Sequence, residues 1–224
     1  MAIFPIEVPQ IYAWATNKML SKMQFFQRKI VFLHELYVKN KMVGEKNLLS
    51  PLCFCPRCAS PHFLPKEVKS CRCEDCGFEL FMNVSAATAA LIVNERAELL
   101  VVRRAKEPAK GTLDLPGGFV DAGETGEACV AREVEEETGL RVTHAAYLFS
   151  LPNSYAYSGL EIPTLDLFFE CRVEDFTPLH AADDAAEVCW MLLDKIQVED
   201  FGLLSIRRGL EVFLQQIHLK HTRI

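Results

Sequence analysis

The sequence predicts an α/β fold of the α+β kind: a mixed sheet packed between helices, preceded by a small cysteine-bearing module and an N-terminal helical segment. Three observations carry this. Strand-like runs at 86–93, 98–103, 141–148 and 164–173 surround a helix-forming run near 126–138 and precede another from about Glu199. Two Cys-x2-Cys pairs, Cys55–Cys58 and Cys73–Cys76, lie upstream of the first strand. Half of the 224 residues are apolar, enough to bury one substantial core beside a small appendage.

Three parts follow along the chain. Residues 1–45 are a basic extension, with Lys18, Lys22, Arg28, Lys29, Lys39 and Lys41 against Glu7, Glu35 and Glu45. Phe26, Ile30, Leu33 and Tyr37 recur at helical spacing, which predicts an amphipathic helix near 17–38. Docking on the main domain, contact with an anionic surface and dimerisation all suit such a helix, so no function is placed there. Residues 50–82 hold the two knuckles, with fourteen residues between Cys58 and Cys73. Four thiolates from two turns can close a tetrahedral shell around Zn²⁺ with no open position, which makes Cys55, Cys58, Cys73 and Cys76 a structural zinc site. Its binding energy would fold a segment too short for a core of its own. Cys53 and Cys71 are spares, and Cys129, Cys171 and Cys189 read as small buried hydrophobes. A redox dithiol would need a thioredoxin-like context that is absent.

Residues 83–224 are the main domain. Ala86 to Val93 and Glu98 to Arg103 read as an antiparallel pair joined at Asn94-Glu95. Arg103, Arg104 and Lys106 follow, as a substrate-facing or a solvated cationic group. Leu115-Pro116-Gly117-Gly118 then permits a tight turn and close approach of backbone to a ligand. Thr125 suits an N-cap and Gly139 a left-handed C-terminus, so the helix runs from about Gly126 to Thr138. Within it Glu133, Glu136 and Glu137 stand at i, i+3 and i+4 and share one face. Such a face repels itself without a cation, and its hard oxygens suit Mg²⁺ or Mn²⁺. Arg132 is placed to pair with Glu124 or Glu136 and hold the cluster in shape.

The spacing of Gly118, Glu124 and Arg132-Glu133-Val134-Glu135-Glu136-Glu137-Thr138-Gly139-Leu140 resembles the Nudix box G-x5-E-x7-R-E-U-x-E-E-x-G-U at every fixed position. The resemblance covers roughly Asn83 to the C-terminus. It implies a Nudix α/β/α sandwich with a mixed sheet and hydrolysis of a nucleoside diphosphate linked to another group, with water attacking phosphorus. It also implies metal binding by Glu133 and Glu137, helped by Glu136 and the Gly117 carbonyl, with Arg132 and Glu124 completing the catalytic set. A zinc ribbon before such a domain is similar to the NADH pyrophosphatase branch and to enzymes acting on FAD or ADP-ribose. That branch carries S-Q-P-W-P-F-P-x-S after its box. Here Ser150, Pro152 and Ser158 match and Tyr155 keeps an aromatic ring, but the Gln, Trp and later Pro positions do not. Asn153, Tyr155 and Tyr157 are candidate base- or ribose-binding residues, or simply the end of a strand turning at Gly159. Further on, Asp184 matches by its spacing to Trp190 the acid that joins the metal site or acts as base in Nudix enzymes, with Asp183 and Glu187 as alternatives.

The formal charge of −6 argues against nonspecific attraction to nucleic acid. No run of 18 apolar residues and no signal peptide is present, so the expectation is a soluble cytoplasmic protein with no membrane partner. The function expected is metal-dependent cleavage of a pyrophosphate bond in ADP-ribose, FAD or an NADH-like dinucleotide. A nucleotide-sugar is the other small-molecule class, capped RNA is the one nucleic-acid form admitted, and a homodimer is compatible. Two rivals come from other classes: a non-catalytic Nudix ligand sensor, and a nucleic-acid-binding zinc-ribbon protein using Lys66, Lys69 and Arg72.

Overall fold

The loop that carries Gly117 and Gly118 is held along the free edge of a strand, and the rest of the fold serves that placement. The computed structural model describes residues 47–221. The helix expected near 17–38 lies outside the described residues. Leu48 onward forms one compact unit.

The ribbon is an antiparallel meander of β1 (Phe63–Glu67), β2 (Ser70–Cys73) and β3 (Glu79–Phe81), in the order β1-β2-β3. Its small core gathers Leu49, Phe63 and Cys71 around Cys55 and Cys73. Two three-stranded sheets follow. β4 (Ser85–Leu91), β8 (Leu160–Val173) and β7 (Val142–Tyr157) form one in the order β4-β8-β7, with β4 parallel and β7 antiparallel to β8. β6 (Leu113–Asp114), β5 (Glu98–Arg104) and β9 (Ala185–Leu192) form the other, with β5 in the middle. The arrangement is the mixed α/β one expected.

Two local expectations are corrected. β4 and β5 do not pair along their length: they meet near their turn, at Val93 and Leu99, and then diverge into different sheets. The free edge of β4 is taken instead by the Pro-Gly-Gly loop. Ala90 N–H donates to Pro116 O at 2.8 Å, Thr88 N–H to Gly118 O at 2.8 Å and Val120 N–H to Ala86 O at 3.0 Å. The second correction is length, because β7 runs on to Tyr157 rather than ending near Leu148. Pro152 is tolerated because β7 is an edge strand bonded only to β8, so its missing N–H costs no ladder bond. The hairpin turns at Ser158-Gly159, with φ of 49° and 78°, the left-handed pair that matches strand twist in a two-residue turn.

Helix α1 (Gly126–Thr138) has the predicted limits. Thr125 Oγ1 accepts from Ala128 N–H at 3.2 Å, and Gly139, at φ 70°, donates its N–H to Glu135 O at 2.9 Å. Val130 and Val134 are fully buried and pack with Ala90, Ile92, Leu100 and Phe169, so α1 turns its apolar side to the sheets and its carboxylates along the other. After short 3₁₀ turns at Leu193–Lys195 and Val198–Asp200, helix α2 (Leu204–His221) buries Ile206, Leu210 and Phe213 and leaves Leu204 exposed. It approaches the sheet closely at Gly209, where a Cβ would lie 2.3 Å from the Phe168 ring.

Candidate active site

Two glycines fix the geometry between loop and helix. A Cβ on Gly117, whose φ is 152°, would lie 2.1 Å from Thr88 O, and a Cβ on Gly118 would lie 2.5 Å from the Glu133 carboxylate. Only hydrogen fits at Gly117, where the obstacle is backbone, whereas a side chain at Gly118 would have to push the Glu133 carboxylate aside. In return, Gly117 N–H donates to Glu137 Oε2 at 3.0 Å, which ties the loop to the buried end of the acidic helix.

Arg132 organises the remaining acids. Its Nε and Nη2 donate to the two oxygens of Glu124, both at 3.0 Å, while Nη1 donates to Glu133 at 2.8 Å and to Glu136 at 2.9 Å. Nη2 also reaches Phe119 O at 3.2 Å. One guanidinium thus holds Glu124, Glu133 and Glu136 together, where the sequence had offered Glu124 or Glu136. The hydrogen bonds from Arg132 draw the Glu124 carboxyl down to about 2. Burial has the opposite effect on Glu133, whose pKa is raised against the pull of Arg132. Glu137 is 6% exposed and forms no ion pair among the described residues, so burial, reinforced by Asp114, Glu133 and Asp184, pushes its pKa to about 8 despite the Gly117 N–H.

Arg132, Glu133, Glu136 and Glu137 line a cleft of about 350 Å³, while Glu124 holds Arg132 from outside that lining. Arg104, Lys106, Asn153, Tyr155, Asp183 and Asp184 also line it. Arg104 Nη1 donates to Asp114 at 2.6 Å and Nη2 donates to the Tyr155 hydroxyl at 3.1 Å, while the Tyr155 ring meets Phe119 edge-on at 5.4 Å. Burial pulls the Arg104 guanidinium down, but Asp114 and Tyr155 outweigh it and the net shift is upward. Arg103, one residue earlier, points away and pairs with Glu187 at 2.9 Å. Asp184 lies at the rim, about half exposed, in an ion pair with Lys106. Tyr157 shares the strand face of Asn153 and Tyr155 but is 61% exposed and does not line the cleft, and neither does Glu187.

The sequence reading passed over Asp114 and Asp166. Both are buried, at 5% and 6% exposure, and both line the cleft. A signal was present: each is a lone acid between leucines in a strand, in Leu113-Asp114-Leu115 and Leu165-Asp166-Leu167. A charge buried in that way costs several kcal/mol unless something nearby answers it, so it marks a site before a structure is known.

The family model of the NUDIX domain matches residues 82–209, more than half of the chain. The chain belongs to the Nudix family. Over 119 residues it is 30% identical to the NAD-capped RNA hydrolase NudC of Vibrio cholerae, a match covering 53% of this chain and 44% of that protein. Over 63 residues it is 41% identical to the ADP-ribose pyrophosphatase of Methanocaldococcus jannaschii, covering 28% of this chain and 37% of that one. The chain thus spans about half or less of the length of these relatives. A solved Nudix hydrolase from Nitrosomonas europaea has the same fold, with a TM-score of 0.58 at 21% identity over 75% of this chain and 93% of that one.

Ahead of the Nudix domain, the sulfur atoms of Cys55, Cys58, Cys73 and Cys76 lie within 4.8 Å of one another. The pairs Cys55–Cys76 and Cys58–Cys73 are 3.7 and 3.6 Å apart. Zinc bonded tetrahedrally to thiolates sets its sulfurs roughly 3.8 Å apart, so the cage fits that ion. The backbone N–H of Cys76 draws the Cys73 thiol down to about 6, while Cys58, despite the backbone bond of Ser60, is pushed up to about 12 by bonding to the neighbouring thiols, so without a metal the sulfurs share their protons unevenly. Cys53 is exposed and Cys71 is packed in the ribbon core, both outside the cage. Ser60 and His62 both bond Asp75, which fastens the first knuckle to the second. Among the described residues the box glutamates form no comparably tight group, because Arg132 draws Glu133 and Glu136 to itself. Their donor set is nevertheless one that suits a hard divalent ion: carboxylate oxygens gathered around the Gly117 turn.

Proposed function

We propose that the chain hydrolyses the pyrophosphate bond of a nucleoside diphosphate joined to a second group, in a small molecule such as ADP-ribose, FAD or an NADH-like dinucleotide. The observation that carries the reading is one cleft with carboxylates of the complete Nudix box on one side and, also lining it, Arg104 and Lys106 with Asn153 and Tyr155. Carboxylates able to hold a divalent ion, in the same cleft as Arg104 and Lys106, suit a phosphate chain that a bound metal neutralises and that competes with Asp184 for Lys106.

Glu133, Glu136 and Glu137, with the Gly117 carbonyl, would hold Mg²⁺ or Mn²⁺. When bound, such an ion neutralises phosphate oxygens and lowers the pKa of a coordinated water. The side chains do the rest. Arg132 keeps Glu133 and Glu136 from splaying into solvent, and the Gly117 N–H fixes Glu137 Oε2 and leaves the carboxylate its other oxygen for a ligand. Arg104 and Lys106 attract the anionic substrate, and a phosphate that takes Lys106 releases Asp184 from its ion pair to accept a proton. Tyr155, oriented by Arg104, offers a ring edge and hydroxyl to a base or ribose.

A capped RNA end is the second reading, favoured by the likeness to the Vibrio protein. The ribbon adds little to it, since Lys66 is paired with Glu79 at 2.9 Å. A sensor that binds without cleaving is disfavoured by the completeness of the carboxylate set. The test is a Mg²⁺-dependent hydrolysis screen of ADP-ribose, NADH, FAD, diadenosine polyphosphates and NAD-capped RNA, with Glu137→Gln as the blank. Cleavage of one class, absent in the blank, names the substrate. Binding without turnover across the panel rejects the hydrolase reading.

A further inference from the structure

Asp166 is a carboxylate that the mechanism above does not use. It sits in β8, is 6% exposed and lines the cleft. Thr164 Oγ1 donates to its Oδ1 at 2.6 Å and Ser205 Oγ donates to its Oδ2 at 2.5 Å. Both partners are neutral. Among the described residues the cations of this cleft are committed elsewhere, Arg104 to Asp114, Lys106 to Asp184 and Arg132 to the box glutamates, and none forms an ion pair with Asp166. Ser205 lies in the first turn of α2, so the positive end of that helix faces the same carboxylate.

Such a group has a narrow choice of ligand. It repels phosphate. It is poorly made for a metal, because each oxygen already receives a hydroxyl hydrogen. A carboxylate has about four acceptor positions and the two hydroxyls use two of them, which leaves two for donors arriving from the cleft. A pair of adjacent neutral donors fits that vacancy, and in a nucleoside diphosphate the vicinal 2′,3′-hydroxyls of a ribose are such a pair. Carboxylates bond ribose hydroxyls in this way in dinucleotide-binding folds.

Resting on the hydrolase reading, we propose that Asp166 is a specificity-determining residue that accepts hydrogen bonds from a ribose diol of the substrate, fixed for that task by Thr164 and Ser205. The anchoring of α2 through Ser205 is a second, structural role, and the test must separate the two.

Wild-type protein and Asp166→Asn are titrated calorimetrically with AMP, 2′,3′-dideoxy-AMP and IMP, and hydrolysis of ADP-ribose, NADH and FAD is followed in parallel. AMP is expected to bind the wild type on the order of 10- to 100-fold more tightly than its dideoxy analogue, the worth of hydrogen bonds to a buried charge. IMP is expected to match AMP, and Asp166→Asn to bind both AMP and the dideoxy compound at the weaker level. For the cleaved substrate, KM rises by a similar factor while kcat stays within about 3-fold, the pattern of lost uniform binding. A purely structural Asp166 would lower stability and kcat and leave the AMP–dideoxy difference intact, which overturns the assignment. Tight dideoxy-AMP with weak IMP would move the contact to the exocyclic amine and overturn it as well. Because the analogue series reads the wild type, a variant that failed to fold would leave the test standing. Turnover without diol discrimination sinks the Asp166 assignment alone; no turnover, with Glu137→Gln indistinguishable from wild type, sinks the hydrolase reading and this one with it.

Discussion

Replacing Glu137 by glutamine is expected to destroy activity and, in protein free of Mg²⁺ and Mn²⁺, to raise stability at neutral pH. The two effects have one origin. Glu137 is 94% buried with one backbone donor and, among the described residues, no ion pair, and its pKa is raised from 4.5 to about 8. An acid whose folded pKa lies above its unfolded value binds the extra proton in the folded state, so stability is highest below about 4.5 and falls as pH rises through about 8. With ~1.36 kcal/mol per unit, the ionisation penalty is under ~1 kcal/mol at pH 5 and ~4 kcal/mol at pH 7.5. Glutamine keeps an oxygen for the Gly117 N–H and carries no charge. The cost of its unpaired amide, about 1–3 kcal/mol, is the same at every pH. The quantity predicted is therefore the change with pH: the variant gains ~3 kcal/mol on the wild type between pH 5 and 7.5. Urea unfolding at a series of pH values measures it, on protein purified without chelator so that metal held by the four cysteines is not stripped. Turnover in Mg²⁺ is expected to fall on the order of 10³-fold, the loss of one group from a preorganised charge-stabilising site. A stability difference that is flat in pH would refute the burial argument, and retained turnover would refute the catalytic role.

Four further outcomes follow from contacts in the structure. Arg132→Lys keeps the charge but cannot hold Glu124 bidentately while reaching Glu133 and Glu136, so metal affinity or kcat drops roughly 10- to 100-fold, read by Mn²⁺ titration and kinetics. Gly118→Ala drives a methyl into the Glu133 carboxylate and is expected to lower kcat far more than the melting temperature, whereas equal losses in both would show a structural glycine. Cys73→Ser opens the cage and lowers bound zinc and thermal stability; full zinc by elemental analysis would reject the ligand set. The depressed Glu124 carboxyl contributes stability that is present above about 4.5 and lost as pH falls towards about 2, so Glu124→Gln is expected to flatten acid unfolding over that window, followed by circular dichroism.

What sequence could read was whatever its own local spacing encodes. The limits of α1 follow from Thr125 and Gly139, residues that satisfy the end groups of a helix whatever lies around it. The co-facial glutamates follow from helical period, and the thiolate cage from two tight knuckles that each bring their pair together. The carboxylate box, dense within one helix and one loop, was legible for the same reason.

What depended on distant segments was not legible. β4 and β5 look like hairpin partners because their turn is short, yet the edge of β4 is worth more to the Pro-Gly-Gly loop, some thirty residues away, than to its neighbour. Tyr155 and Tyr157 are equivalent by alternation, and only the path of β7 past the cleft separates the one that lines it from the one in solvent. Arg103 and Arg104 likewise differ only in which face of β5 meets the cleft. Asp114 and Asp166 needed strands, a helix terminus and hydroxyls from far along the chain before their charges became recognisable as a site. The sequence by itself determined where its carboxylates and its thiols cluster, because ligand spacing is a property of one helix or one turn. The tertiary structure alone decided which side chains share the cleft with the carboxylates, because that is a matter of which strand edges and faces meet.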